Sequence, residues 1–198
     1  MTTKGESAAK RYHHGDLSRA LLAAARHIVE AEGPSALSLR AVAREAGVSA
    51  AAPYHHFKDK AELLSALADQ GWRELGGCMV KARQAVSEEG QLTALGAAYV
   101  VFARANPALY RVMFEAVREG QQEPNDRLMR EALIARGATP GSPDLTFATL
   151  AAWSAVHGLA DLAGMRRFDE LKAELGGERA FLEAVLDHMR VFPSPRRD

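Results

Sequence analysis

Cysteine is almost absent from this 198-residue chain: Cys78 stands alone, so no internal disulfide can form, and the usage suits a reducing compartment. Aromatic residues make up only 7% of the sequence. No run of about 18 uninterrupted apolar residues occurs, so no membrane span is expected. The opening MTTKGESAAKR lacks the apolar centre of a secretory signal, and we expect a soluble cytoplasmic protein. Net charge is missing too, since 25 Lys and Arg balance 25 Asp and Glu. That balance argues at first against a nucleic-acid binder, but the charges are unevenly distributed. Residues 1–60 carry nine Lys/Arg against six Asp/Glu, together with five of the seven histidines. A small basic face of this kind suffices for a modest phosphate-contacting module.

What is present in quantity is apolar and small. Hydrophobic residues make up 47% of the chain, with Ala and Leu dominant. Both are strong helix formers, and the total is enough for one large domain or for a small and a medium one. The pattern along the chain is helical throughout, with no strand-like alternation, repeat or low-complexity tract. After a polar arm over residues 1–14, Asp16 can cap a helix whose Leu17, Leu21, Ala24, Ala25 and Ile28 share a face. Gly33-Pro34 ends it. Ser38 caps a short second helix with Leu39, Val42, Ala43 and Ala46 on one side. Gly47 stops that helix, and Ser49 is placed to cap a third through about Phe57. Asp59 with Glu62 forms an Asp-x-x-Glu capping box that opens a longer fourth helix, which Gly76-Gly77 should bend or weaken. Further helices are expected near 91–105, 107–119, 124–136, 144–166 and 178–191, separated by Asn106-Pro107, the GATPGSP stretch and Gly176-Gly177. The expectation is an all-α protein of about nine helices. A three-helix helix-turn-helix domain (15–60) precedes a helical bundle (61–192) and a tail (193–198).

Three short helices in the first 57 residues bury little surface separately but can form one compact unit. Ala46-Gly47-Val48-Ser49 fits a helix-turn-helix: a small residue in the last turn, Gly to reverse direction, an aliphatic, then a capping Ser. An ordinary helical hairpin inside a bundle would read the same way on spacing alone.

The longer run is more specific. Leu37-Ser38-Leu39-Arg40, Val42-Ala43, Ala46-Gly47-Val48-Ser49, Tyr54-His55-His56-Phe57-Lys58-Asp59-Lys60 and Leu63-Leu64 resemble, in order, the N-terminal signature of the TetR family of transcription regulators. The opening Tyr12-His13-His14-Gly15-Asp16-Leu17 is similar to the start of many members. Trp153 with His157-Gly158 resembles the subgroup whose C-terminal domain is named for its Trp, His and Gly positions. This resemblance implies double-stranded DNA as a partner. Ser38 would meet a phosphate, Ser49, Ala50 and Ala51 would lie near base edges, and Tyr54, His55 and His56 would contact phosphate or base. Lys60 would reach the backbone, and Arg11 an adjacent minor groove.

The same resemblance implies a small-molecule effector pocket lined by Tyr99, Phe102, Tyr110, Met113, Phe114, Trp153 and His157, suited to an apolar or aromatic compound. An aromatic stripe at this spacing is equally the content of a plain core. It also implies a homodimer, through Ala155, Leu159 and Leu162 on one helix and Phe181, Leu182 and Leu186 on another, although an intramolecular bundle would use the same residues. Pro53 departs from the family, which more often has an aliphatic residue there. At the fourth position of a helix capped by Ser49, its missing N–H should cost less than the roughly 3 kcal/mol of an interior proline. The His13-His14 and His55-His56 pairs lack a completing Cys or carboxylate set, so no metal site is expected. Cys78 reads as a small hydrophobe. No Gly-rich phosphate loop, paired acid/base spacing or Ser/His/Asp order stands out, so neither an enzyme nor a cofactor is expected. The competing reading is a helical interaction bundle without DNA function.

Overall fold

The breakers read from the sequence divide a chain that is otherwise helical. The computed structural model describes residues 14–115 and 125–189, and among them there is no strand. These residues fall into two compact units that divide between Leu67 and Ala68.

The first unit begins with α1 (His14–Glu32), which starts two residues before the expected cap and so carries Asp16 within its first turn. Gly33, at φ +87°, turns the chain into a 3-10 turn at Pro34–Ala36. α2 (Leu39–Glu45) follows and packs against α1. Its end is a Schellman closure. With Gly47 at φ +66°, the N–H of Val48 reaches the Ala43 carbonyl at 3.0 Å and that of Gly47 reaches Arg44 at 3.2 Å. Leu21, Ala25, Ile28, Val29, Val42 and Phe57 are among the residues buried here, and each large one stabilises the unit by about 1.5–3 kcal/mol.

The expected third helix is a correction. The segment after Ser49 forms only a 3-10 turn, Ala52–His55, whose cap residue is Ala51 and which has no side-chain cap bond. Proline is the reason. Pro53 has no N–H to give the Ser49 carbonyl, and Ala52 takes that acceptor instead at 3.0 Å. Tyr54 and His56 likewise bond three residues back, to Ala51 and Pro53, so the tighter winding spreads through the segment.

α3 (Lys60–Gln84) opens on the expected Asp59–Glu62 box and runs from the first unit into the second. It runs without a break through Gly76-Gly77. A Cβ on Gly76 would stand 2.6 Å from Oδ1 of buried Asn125, so this glycine admits a neighbouring side chain.

The second unit is organised by α4 (Gln91–Ala105), which packs against α6 (Asp126–Ala135), α7 (Pro143–Leu162) and α9 (Glu178–His188). α5 (Pro107–Glu115) precedes residues outside the described set. A short α8 (Asp169–Glu174), not anticipated, packs on α9. Gly96 is where α4 comes closest: a Cβ there would lie 3.0 Å from Leu186 and 3.2 Å from Val156. Nine α-helices are present among the described residues, α8 standing in number where the third helix was expected.

Candidate nucleic-acid interface and effector cavity

Pro53 and Phe57 turn inward, and this fixes what the 3-10 turn shows to solvent. Both are buried, while Ser49, Ala50, Ala51, Tyr54 and His55 are exposed, Tyr54 to 54%. His56 is half-buried, its ring 6.4 Å from that of Phe57. The structure thus brings the residues expected at bases onto one exposed turn. Ser38 caps α2, its Oγ accepting from the Ala41 N–H at 3.1 Å. That acceptor role leaves the hydroxyl proton to donate.

Lys60 is less available than expected. Its ammonium donates to the Pro34 carbonyl at 2.9 Å and to the Ser35 carbonyl at 3.4 Å, holding the 3-10 turn before α2. One of its three protons remains. Sequence reasoning overlooked Arg40 and Lys58, which are both exposed close to Ser38 and to the turn. Arg40 could have been found from periodicity, since it faces away from Leu39, Val42 and Ala43. Arg11 lies outside the described residues.

In the second unit, the aromatic residues expected at an effector pocket separate into wall and core. A cavity of about 630 Å³ is lined by Tyr110, Phe114 and His157, with Arg104, Arg111, Glu115 and Asp161 also on its surface. Tyr99 and Met113 are wholly buried, Trp153 is nearly so, and Phe102 borders a different groove. The rings pack edge to face within the wall, within the core and between them: Phe114 lies 4.7 Å from His157 and 5.1 Å from buried Trp72, and Tyr99 lies 5.2 Å from Trp153.

The protonation of the neutral imidazole follows from its partners. Nδ1 of His157 is 2.9 Å from the Trp153 carbonyl, which can only accept, so Nδ1 carries the proton. Nε2 then accepts from the Tyr99 hydroxyl at 3.1 Å, and Tyr99 accepts from Tyr110 at 2.8 Å. His157 is therefore satisfied within the bundle and also faces the cavity. Arg104, Arg111, Glu115 and Asp161 give the cavity a charged rim, and none of them was among the residues expected to line it. Arg104 is held by Glu178 through its Nε, whereas no ion pair involves Glu115 or Asp161 among the described residues.

The residues expected at a dimer face are mostly spent inside the protomer. Ala155, Leu159, Phe181, Leu182 and Leu186 are buried, and only Leu162 is exposed. The reason is α4, which packs against both α7 and α9 and covers their small and aliphatic sides. Exposed apolar residues lie elsewhere on α7, at Phe147 and Leu150, with Met165 just beyond the helix. Among the described residues no His, Cys, Asp and Glu cluster fit for a metal occurs, and no helix is long and apolar enough to cross a membrane.

A three-element head with a Schellman-closed turn, followed by a helical bundle that carries a cavity, is the architecture of a helix-turn-helix regulator. Residues 21–67 match the model of bacterial regulatory proteins of the tetR family, and residues 92–189 match a tetracyclin repressor-like C-terminal domain. The chain belongs to the TetR family of transcription regulators. Among solved structures it is similar to a protein of unknown function from Rhodococcus sp. RHA1, at 31% identity and TM-score 0.72, over 94% of this chain and 100% of that one. A tetR-family regulatory protein from Rhodococcus RHA1 aligns at 21% identity and TM-score 0.66, over 90% and 97%. A TetR-family transcriptional regulator from Haemophilus influenzae aligns at 24% and 0.58, over 89% and 97%. Comparison with curated protein sequences gave no match.

Proposed function

We propose that the chain is a cytoplasmic homodimeric repressor that binds a palindromic operator and leaves it when a small molecule occupies the cavity of the second unit. The observation that carries the DNA reading is the exposed turn, which presents Tyr54 and His55 beside Ser49, Ala50 and Ala51 while Pro53 and Phe57 anchor it from beneath. Ala50 and Ala51 can meet thymine methyl groups but cannot hydrogen-bond to bases. Direct readout therefore rests on Ser49, Tyr54 and His55, with the remainder supplied by DNA shape. Ser38 donates its hydroxyl proton to a phosphate, and Arg40 and Lys58 add charge beside it. Arg11 reaches an adjacent minor groove.

A two-fold dimer sets two such turns on one DNA face. Its contact includes Phe147, Leu150 and Leu162 of α7, because these are exposed where the neighbouring Leu159 is not. Three exposed apolar side chains on one helix need such a cover. The effector carries an aromatic body against Tyr110, Phe114 and His157 and polar groups toward the charged rim. It acts by favouring a conformation in which the spacing of the two turns no longer suits the operator. No catalytic role is assigned.

Fluorescence anisotropy on DNA upstream of the chain's own gene and its neighbours, at two salt concentrations with scrambled DNA as control, tests this reading. Preferential binding that weakens steeply with salt is expected. Tyr54→Ala should lower specific affinity by about tenfold, within the 1–3 kcal/mol of a good base contact, at unchanged thermal stability. A chain that showed no preference and was indifferent to Tyr54→Ala would be an interaction bundle instead.

A further inference from the structure

We propose that a groove between the C-terminal half of α3 and α4 is a second small-molecule site, one that takes a slender amphipathic anion such as a medium-chain fatty carboxylate. The groove encloses about 500 Å³, within the roughly 300–1,000 Å³ of small-molecule pockets, and shares no lining residue with the cavity described above. Its walls are set by alanine: Ala82 of α3 and Ala85 just beyond it face Ala94, Ala97, Ala98 and Ala105 from α4. Methyl groups on both sides leave a narrow trough where leucines would close the gap. Val101 and Phe102 extend its apolar surface, and Val101 is 40% exposed, so this apolar surface is open to solvent.

The charges at its edge are of one sign. Lys81 and Arg179 line the groove, and no carboxylate does, whereas the other cavity carries Glu115 and Asp161. Lys81 is exposed in the last turn of α3 and makes no ion pair among the described residues. Arg179 gives its Nε to Glu183 at 2.8 Å, and its remaining N–H donors are available to a ligand. An alkyl chain laid over the methyl groups with its carboxylate toward Lys81 matches both features. A neutral chain would leave the cations unused, and a cationic one would be repelled. The groove is too small for a folded partner, and the single-signed rim selects the head group.

Cys78 provides the readout, because it is exposed, lines the groove and is the chain's only cysteine. The experiment follows alkylation of the full chain by neutral iodoacetamide, with mass spectrometry, at increasing dodecanoate below its micelle concentration. Rates are normalised to the ligand-free rate of each variant. Dodecanoate should slow alkylation in a saturable way, while butyrate and dodecyltrimethylammonium leave the rate unchanged. Each methylene added between those chain lengths should tighten binding by about two- to fourfold until the trough is filled. Lys81→Gln should weaken protection by about three- to fivefold, as for loss of one exposed charge pair. Ala98→Leu should abolish it by filling the trough, and Tyr110→Ala, in the other cavity, should leave it intact. Equal protection by the cationic surfactant, no protection by dodecanoate, or protection lost with Tyr110→Ala would overturn the proposal. So would shielding of the ligand-free thiol that grows with protein concentration, which would mean that a second copy covers the groove.

Discussion

The two units differ in how far their side-chain hydrogen bonds reach. In the first, side-chain hydrogen bonds are mostly local. Ser38 caps the amide three residues on, Asp59 does the same for Glu62, and Glu62 reaches back four residues to the Lys58 N–H. The second has local bonds of the same kind but adds several that join distant parts of the chain: Tyr99 to His157 across 58 residues, Arg104 to Glu178 across 74, Thr93 to Asp187 across 94. A surface fixed by local bonds presents one geometry whatever happens elsewhere, which suits a module that must fit a rigid duplex. A unit held by long-range bonds around a cavity changes many contacts together when the cavity fills, which suits a sensor. Two contacts in the first unit reach further: His27 meets Glu45 across 18 residues, and Lys60 reaches back 26 residues to Pro34, tying the start of α3 to the entry of α2.

The comparison breaks most easily at Phe57, the one large side chain that anchors the 3-10 turn from below and is 5% exposed. Phe57→Ala should cost about 3–5 kcal/mol, enough to unfold a small unit. Hydrogen exchange read residue by residue should then show protection lost in α1 and α2 and DNA binding abolished, with α4, α7 and α9 still protected. Loss of protection in all five helices would mean that the two units do not stand separately.

Ser38 sharpens the same contrast at smaller cost, because its one hydroxyl is given two roles. Ser38→Ala removes the cap and should lower stability by about 1 kcal/mol, with weaker operator binding as well. Ser38→Asp keeps the cap, since aspartate is as good an N-cap as serine, but sets a carboxylate against the phosphate. Its thermal midpoint should stay near that of the parent while DNA affinity falls below that of the alanine variant. An aspartate variant that binds DNA as tightly as the parent would leave Ser38 a cap and nothing more.

This division also explains what could be read from the sequence. α2, its Gly47 stop and the Asp59–Glu62 box were legible because each is specified by residues within one or two turns. The reciprocal half of that box nevertheless lands one residue early, on Lys58. The third helix was misread because the consequence of Pro53 was confined to one lost bond. In the structure, Ala52 takes over the vacated Ser49 carbonyl and shifts its neighbours to the tighter winding. The contact at Gly76 was missed for the opposite reason: its partner, Asn125, is 49 residues away in sequence and leaves no local sign. The dimer residues show the limit most plainly. Small and aliphatic positions on α7 and α9 serve equally to meet a second copy or α4, and spacing alone cannot say which. Of the residues expected at the pocket, Tyr110, Phe114 and His157 reach its wall and Tyr99 stands behind them, because a ring cluster gathered from α4, α5 and α7 has both an inner and an outer edge.

The smallest effect tests the second unit's style of bonding at a single carboxylate. Glu131 of α6 accepts from Arg83 of α3 and from Arg127, each at 2.7 Å, and Arg83 also gives its Nε to Gln91 at the start of α4. The Arg83 hydrogen bond, followed by that of Arg127, holds the Glu131 carboxyl below the usual carboxylate range. A pKa lower in the folded than in the unfolded chain contributes stability above the unfolded value. That contribution fades as pH falls through the folded one. Glu131→Gln should therefore lower the thermal midpoint at pH 7 by no more than about 2–4 °C. The difference should shrink as pH falls through and below the usual carboxylate range, as the parent becomes protonated and resembles the variant. Added salt at pH 7 should narrow it as well, since the site is open to solvent. A difference that persists undiminished at low pH and high salt would mean that Glu131 acts through packing, and that charge contributes little to holding α3, α4 and α6 together.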